Sequence, residues 1–137
     1  MQMSSEYKSL SHCKYLTQYH IIWCPKFRFE VLSDNIQASL KEILQSICKQ
    51  YDYEIQALEI MPDYIHIFVG AKPTVAPIDV VRTLKSISVI KLFKLYPNLK
   101  AFYGKCGAIW SKDYFISAIG NISAETVKRY IEDQKCK

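Results

Sequence analysis

Glycine, paired cysteines and long apolar runs are scarce or missing in this chain, and each lack excludes something. Four glycines stand among 137 residues, too few for a glycine-rich linker or hinge, and no Walker phosphate loop is present. The five cysteines, Cys13, Cys24, Cys48, Cys106 and Cys136, contain no CxxC pair. That pattern argues against a zinc knuckle or a disulfide frame and predicts reduced thiols in a cytoplasmic protein. No apolar run reaches the roughly 20 residues of a membrane-spanning helix. The opening MQMSSEYKSL has no apolar core of the secretory kind, so no leader is expected.

What is there points to one soluble domain spanning 1–137. Half the residues are hydrophobic and the mean hydropathy is −0.04, enough apolar material for a real core. The formal net charge of +5 favours a polyanionic partner, nucleic acid before membrane, although on its own it selects weakly.

Periodicity then divides the chain. KYLTQYHIIWC, 14–24, alternates and is rich in aromatic and β-branched residues, which predicts a strand ending at Pro25. Ser33, Asp34 and Asn35 offer helix-capping chemistry. Beyond them Ile36, Leu40, Ile43, Leu44 and Ile47 recur at helical spacing to about Gln50. YEIQALEIM, 53–61, predicts a second strand, and Pro62-Asp63 turns the chain into a third, YIHIFVGA. Pro77 opens a second helix that runs to about Tyr96 and stops at Pro97. Its first half carries the stripe Val80, Val81, Leu84 and Ile87; its second half, apolar on more sides, is expected to be more buried. AIWSKDYFISAIG, 108–120, predicts a fourth strand interrupted at Ser111 to Asp113, and Ser123 caps a last helix through about Lys135.

The order β-α-β-β-α-β plus a terminal helix predicts an α+β, ferredoxin-like (split βαβ) antiparallel sheet. The first and third strands should lie side by side at the centre, with both helices on one face. On the third strand Ile65, Ile67 and Val69 share one face, and Tyr64, His66 and Phe68 the other. The isoleucine side reads as core. The tyrosine-histidine side then faces away from the helices and needs a cover or a ligand. On the terminal helix Val127, Tyr130, Ile131 and Gln134 fall at i, i+3, i+4 and i+7, on one face. If that helix covers the open side, a phenol and an amide arrive near His66. Ordinary amphipathic packing of Tyr130, with Gln134 solvated, accounts for the same spacing.

Five blocks in order, YHIIWCPKFR (19–28), MPDYIHIFV (61–69), LKSIS (84–88), IWSKDYFISAIGN (109–121) and VKRYIEDQ (127–134), resemble the HUH-type single-tyrosine transposases of small insertion sequences. The likeness spans about Tyr7 to Gln134. In that family a His-hydrophobic-His pair on the third strand and a glutamine on the terminal helix bind a divalent metal, and a tyrosine one turn earlier is the nucleophile. The resemblance therefore implies Tyr130 as nucleophile, His66 and Gln134 as metal ligands, and a Mg²⁺ or Mn²⁺ cofactor. Tyr64 stands where the first histidine belongs. A neutral phenol is a poor ligand for a hard cation near neutral pH, so a weakly bound metal is expected. Asp63 is the adjacent carboxylate that could stand in, although its side chain starts on the other face.

The activity implied is metal-assisted cutting and rejoining of single-stranded DNA at insertion-sequence ends through a 5′-phosphotyrosine intermediate. The implied partners are DNA hairpins at those ends and a second copy of the chain, in a homodimer pairing one subunit's tyrosine helix with the other's histidine strand. Lys26, Arg28, Arg82 and Lys85 are the candidate phosphate contacts. His20 reads as a packed or hydrogen-bonded sheet histidine and is not assigned to the metal; His12 has no clear partner, and Trp110 reads as a core or interface anchor. Two rivals stay open. One is a catalytically impaired relative that binds hairpin DNA without cutting it, because of Tyr64. The other is an RNA-binding module that stacks bases on Tyr19, Tyr64 and Phe68.

Overall fold

The computed structural model describes residues 8–10, 13–15, 17–104, 107–118 and 131–132. Strands β1 (Lys8–Leu10) and β2 (Cys13–Tyr15) pair as a small antiparallel hairpin apart from the main sheet. The main sheet holds β3 (Gln18–Trp23), β4 (Glu54–Met61), β5 (Tyr64–Gly70) and β6 (Phe115–Ala118). Their order is β4-β5-β3-β6 and every pairing is antiparallel. This is the ferredoxin-like arrangement, with the first and third strands of the sheet at its centre.

The expected 14–24 strand is in fact two. β2 turns back on β1, and β3 begins only at Gln18, after Thr17, whose hydroxyl donates to the Ala71 carbonyl. Helix α1 (Asp34–Gln50) buries Ile36, Leu40, Ile43, Leu44, Ile47 and Cys48, the stripe that its spacing predicts plus one thiol. Ser33 precedes it in an extended conformation, with Asp34 in the first turn and Lys49 in the last, both suited to the helix dipole.

Helix α2 (Pro77–Leu95) starts on proline as expected, and Val80, Val81, Leu84, Ser88 and Leu92 face inward. Its second half is not the more buried part. Ile90 and Leu95 are more than half exposed, because one face of α2 meets the core while α3 (Pro97–Tyr103) packs beside its end. Pro97 thus opens a short further helix as well as ending α2. Ser88 is fully buried between the helix and the sheet, where its hydroxyl accepts from Trp110 Nε1 at 2.9 Å and donates to the Lys85 carbonyl at 3.0 Å. Trp110 stacks edge-to-face on Trp23 at 6.0 Å and is a core anchor.

The expected 108–120 strand is shortened. Pro25 and Trp110 form a lone bridge, the Ser111–Asp113 stretch breaks the ladder, and β6 resumes only at Phe115. Both long helices cover one sheet face, where Ile21, Trp23, Ile65, Ile67 and Val69 join the α1 and α2 stripes in one core. The terminal segment expected to be helical over 123–135 lies outside the described residues except at Ile131 and Glu132, which are helical.

Candidate active site

On the face opposite the core, β3 contributes His20 and Ile22, and β5 contributes Tyr64, His66 and Phe68. Register places Ile22 opposite His66 from one side and Glu59 opposite it from the other. His20 lies opposite Phe68, and their rings stack in parallel at 4.3 Å. Ile22 is fully buried and Phe68 3 % exposed, so this face is sheltered too.

Two imidazoles meet here. His20 Nδ1 lies 3.2 Å from His66 Nε2, a contact that periodicity could not show because it runs between strands. Burial holds His20 below its ordinary value. Burial lowers His66 first, His20 lowers it further, and Glu59 works the other way. Both rings are therefore neutral near pH 7, with one nitrogen each free of a proton.

Tyr64 reaches diagonally across the ladder to Glu59, the residue opposite His66. Its hydroxyl donates to Glu59 Oε1 at 3.0 Å. Burial and that bond push the phenol up to about 12, so it stays protonated through the physiological range. A group held as O–H is poorly suited to the place of a histidine ligand. Asp63 is engaged elsewhere: its Oδ2 lies 2.7 Å from Arg28 Nη2, and both side chains are largely buried. Among the described residues no three His, Cys, Asp or Glu side chains gather as a metal-binding set. The face offers a pair of nitrogens. Gln134 and the nucleophile candidate Tyr130 both lie outside the described residues, as does His12.

Arg28 links this region to the terminal segment. Its Nη1 donates to the Ile131 carbonyl at 2.6 Å while Nη2 holds Asp63, the residue before β5. The sequence reading placed Arg28 on phosphate; the structure places its guanidinium inside the fold, bridging two segments. The tight turn over Lys26–Arg28 aims it there. Phe27 and Arg28 both adopt left-handed φ angles, 61° and 51°, which cost non-glycine residues on the order of 1–3 kcal/mol each and persist only when the surroundings over-determine them. The Arg28 bonds supply that constraint.

The remaining basic candidates share one band. Lys26 and Arg28 line a cleft with Ser111 and Lys112. Arg82 and Lys85 line the adjoining groove, which also runs past Ser111 and Lys112. Lys85 is half buried and donates to the Ser111 carbonyl at 2.7 Å, and burial pulls its pKa down. Arg82 is exposed, 3.9 Å from Asp79. Lys112 was not singled out by the sequence; nothing marks it until the fold puts it between the two clefts. Of the aromatic residues named for base stacking, Tyr19 packs on the core side and Phe68 lies beneath His20. They do not form a single stacking platform.

Comparison with known proteins fits this architecture. The family model "Transposase IS200 like" matches residues 13–134. The ISDra2 transposase TnpA of Deinococcus radiodurans is 36% identical over 124 residues, covering 90% of this chain and 87% of that one. The transposase for insertion sequence element IS200 of Salmonella typhimurium is 26% identical over 127 residues, covering 93% and 82%. A crystal structure of a Deinococcus radiodurans R1 protein described as a transposase superposes with a TM-score of 0.85 at 36% identity, covering 93% of this chain and 97% of that one. A REP-associated tyrosine transposase bound to a REP hairpin shares the fold, with a TM-score of 0.53 at 21% identity and coverage of 94% and 67%. With a family model matching nearly the whole chain and a relative at this level of identity, the protein belongs to the IS200-like transposase family.

Proposed function

We propose that this transposase cuts and rejoins single-stranded DNA by a tyrosine nucleophile on its terminal helix, acting beside His66. The observation that carries the reading is the Arg28 bridge. By holding the Ile131 carbonyl and Asp63 together, it ties the residue after Tyr130 to the start of the strand that bears His66.

In the proposed step the Tyr130 hydroxyl oxygen attacks a backbone phosphorus. A phosphotyrosine bond forms to the 5′ side and the bond to the 3′ oxygen breaks. The phenol proton passes to solvent, and the departing oxygen takes up a proton to become a 3′-hydroxyl. Because one phosphodiester is exchanged for another, no ATP is needed, and a second 3′-hydroxyl can reverse the exchange. A divalent ion, when bound, polarises the scissile phosphate and offsets its developing charge. The neutral imidazoles hold nitrogen lone pairs on that face. Lys26, Arg82 and Lys112 supply positive charge along the adjoining clefts, suited to the phosphates of a hairpin end. Such a partner agrees with the hairpin held by the structurally similar REP-associated enzyme.

Purified protein incubated with labelled single-stranded DNA and Mn²⁺ should give a covalent adduct that survives denaturation. Tyr130→Phe should remove it without weakening hairpin binding. The homodimer remains part of the proposal. In that dimer the active sites are shared between subunits, one subunit's tyrosine acting beside the other's histidine. Mixing Tyr130→Phe and His66→Ala proteins should then restore part of the adduct; no restoration would place tyrosine and histidine of the same subunit in one site.

A second reading draws on Tyr64. With that phenol committed to Glu59, a family member that binds hairpins but has lost cutting would look the same. An adduct appearing only after Tyr64→His would establish it.

A further inference from the structure

We propose that His20 on β3 takes over the ligand role absent at Tyr64, so that the metal site joins two adjacent strands instead of two positions on one strand. The inference rests on the strand-transfer reading above and names which side chains of this chain serve it.

Ile22, Tyr64, Glu59, Phe68 and His20 surround His66 on its face. Ile22, directly opposite, is apolar and fully buried. The Tyr64 hydroxyl is turned to Glu59, and that carboxylate oxygen is occupied as its acceptor. Phe68 lies under the His20 ring. His20 itself brings Nδ1 to 3.2 Å from His66 Nε2. Two nitrogens bound to one ion at about 2.1 Å, with angles between right-angled and tetrahedral, stand about 3.0–3.4 Å apart. The observed separation falls inside that range. The same nitrogens can instead share a proton, so an ion would replace that proton.

The remaining geometry favours a fixed donor. The Phe68 stack, nearly parallel at 3°, sets the His20 ring plane, and the β3–β5 ladder sets its distance from His66. A paired-strand site also answers why Tyr64 is tolerated: the second imidazole arrives from the neighbouring strand. Asp63, tied to Arg28, is not needed. Imidazole donors suit transition ions better than Mg²⁺, and Mn²⁺ serves here as the paramagnetic probe.

The test counts nitrogens on the full chain loaded with Mn²⁺. Pulsed electron paramagnetic resonance should show two coordinated imidazoles in the native protein, a count that needs no variant. His20→Ala should show one, with affinity down tenfold or more, and His20→Gln should do the same if the alanine variant fails to fold. Adding Tyr64→His to His20→Ala should restore two. A single imidazole in the native protein, an unchanged count after His20→Ala, or no Mn²⁺ binding would overturn the proposal. The DNA adduct assay with Tyr130→Phe judges the strand-transfer reading separately, since an adduct formed with only one coordinated imidazole would retain that reading and remove His20 from the site.

Discussion

The two faces of the central sheet share strands and backbone but differ in chemistry. On the α1/α2 side, Ile21, Trp23, Ile65 and Ile67 are fully buried in one apolar cluster. On the other side, the intervening positions of the same strands carry His20, Ile22, Tyr64 and His66, with Glu59 across the ladder. Strand alternation separates the two tasks at single-residue resolution. One side holds the sheet in place; the other uses that rigidity to fix two imidazoles at 3.2 Å. Rigid supporting elements favour such precision over loops.

Adjacent substitutions on β5 should break this comparison most visibly. Ile67→Ala leaves a cavity in the core and should cost about 2–5 kcal/mol, read by urea denaturation. His66→Ala, one residue away, should cost roughly 1 kcal/mol yet abolish the DNA adduct. Equal losses of stability would mean that the two faces are not divided by task.

The Arg28 bridge comes next. Arg28→Ala strands the Asp63 carboxylate in a largely buried site, and removing one partner of such a pair costs about 3–5 kcal/mol. Removing both charges together, Arg28→Met with Asp63→Leu, should recover much of the stability but not the adduct. That outcome would locate the bridge's role in positioning the terminal helix.

The smallest effect concerns pH. Burial raises the Cys48 thiol from 9.0 to about 11. Since the folded state holds this proton more tightly than the unfolded chain, its contribution is complete below pH 9 and declines as pH rises toward 11. Cys48→Ala should flatten part of that alkaline decline in thermal melts, while the site-face variant His66→Ala should leave it unchanged.

Much of the sheet was legible in the sequence. Alternation on 64–69 separated core from site residues, and helical spacing from Ile36 to Ile47 matched the buried face of α1. Contacts between segments were not legible. The meeting of His20 with His66 depends on the β3–β5 register, which no local pattern contains. Arg28 looked like one more surface cation until two left-handed residues turned it inward. Ser88 carries no signal in the sequence, because a serine breaks an apolar stripe, although a buried indole N–H needs an acceptor. The exposed second half of α2 shows the reverse error: apolar composition does not ensure cover.

The central claim is that the reacting phenol comes from the terminal helix. Digesting the DNA-linked protein and locating the attached nucleotide by mass spectrometry tests it directly. The account predicts a 5′-phosphate on Tyr130. Attachment to Tyr64, the other phenol beside His66 on β5, would contradict it.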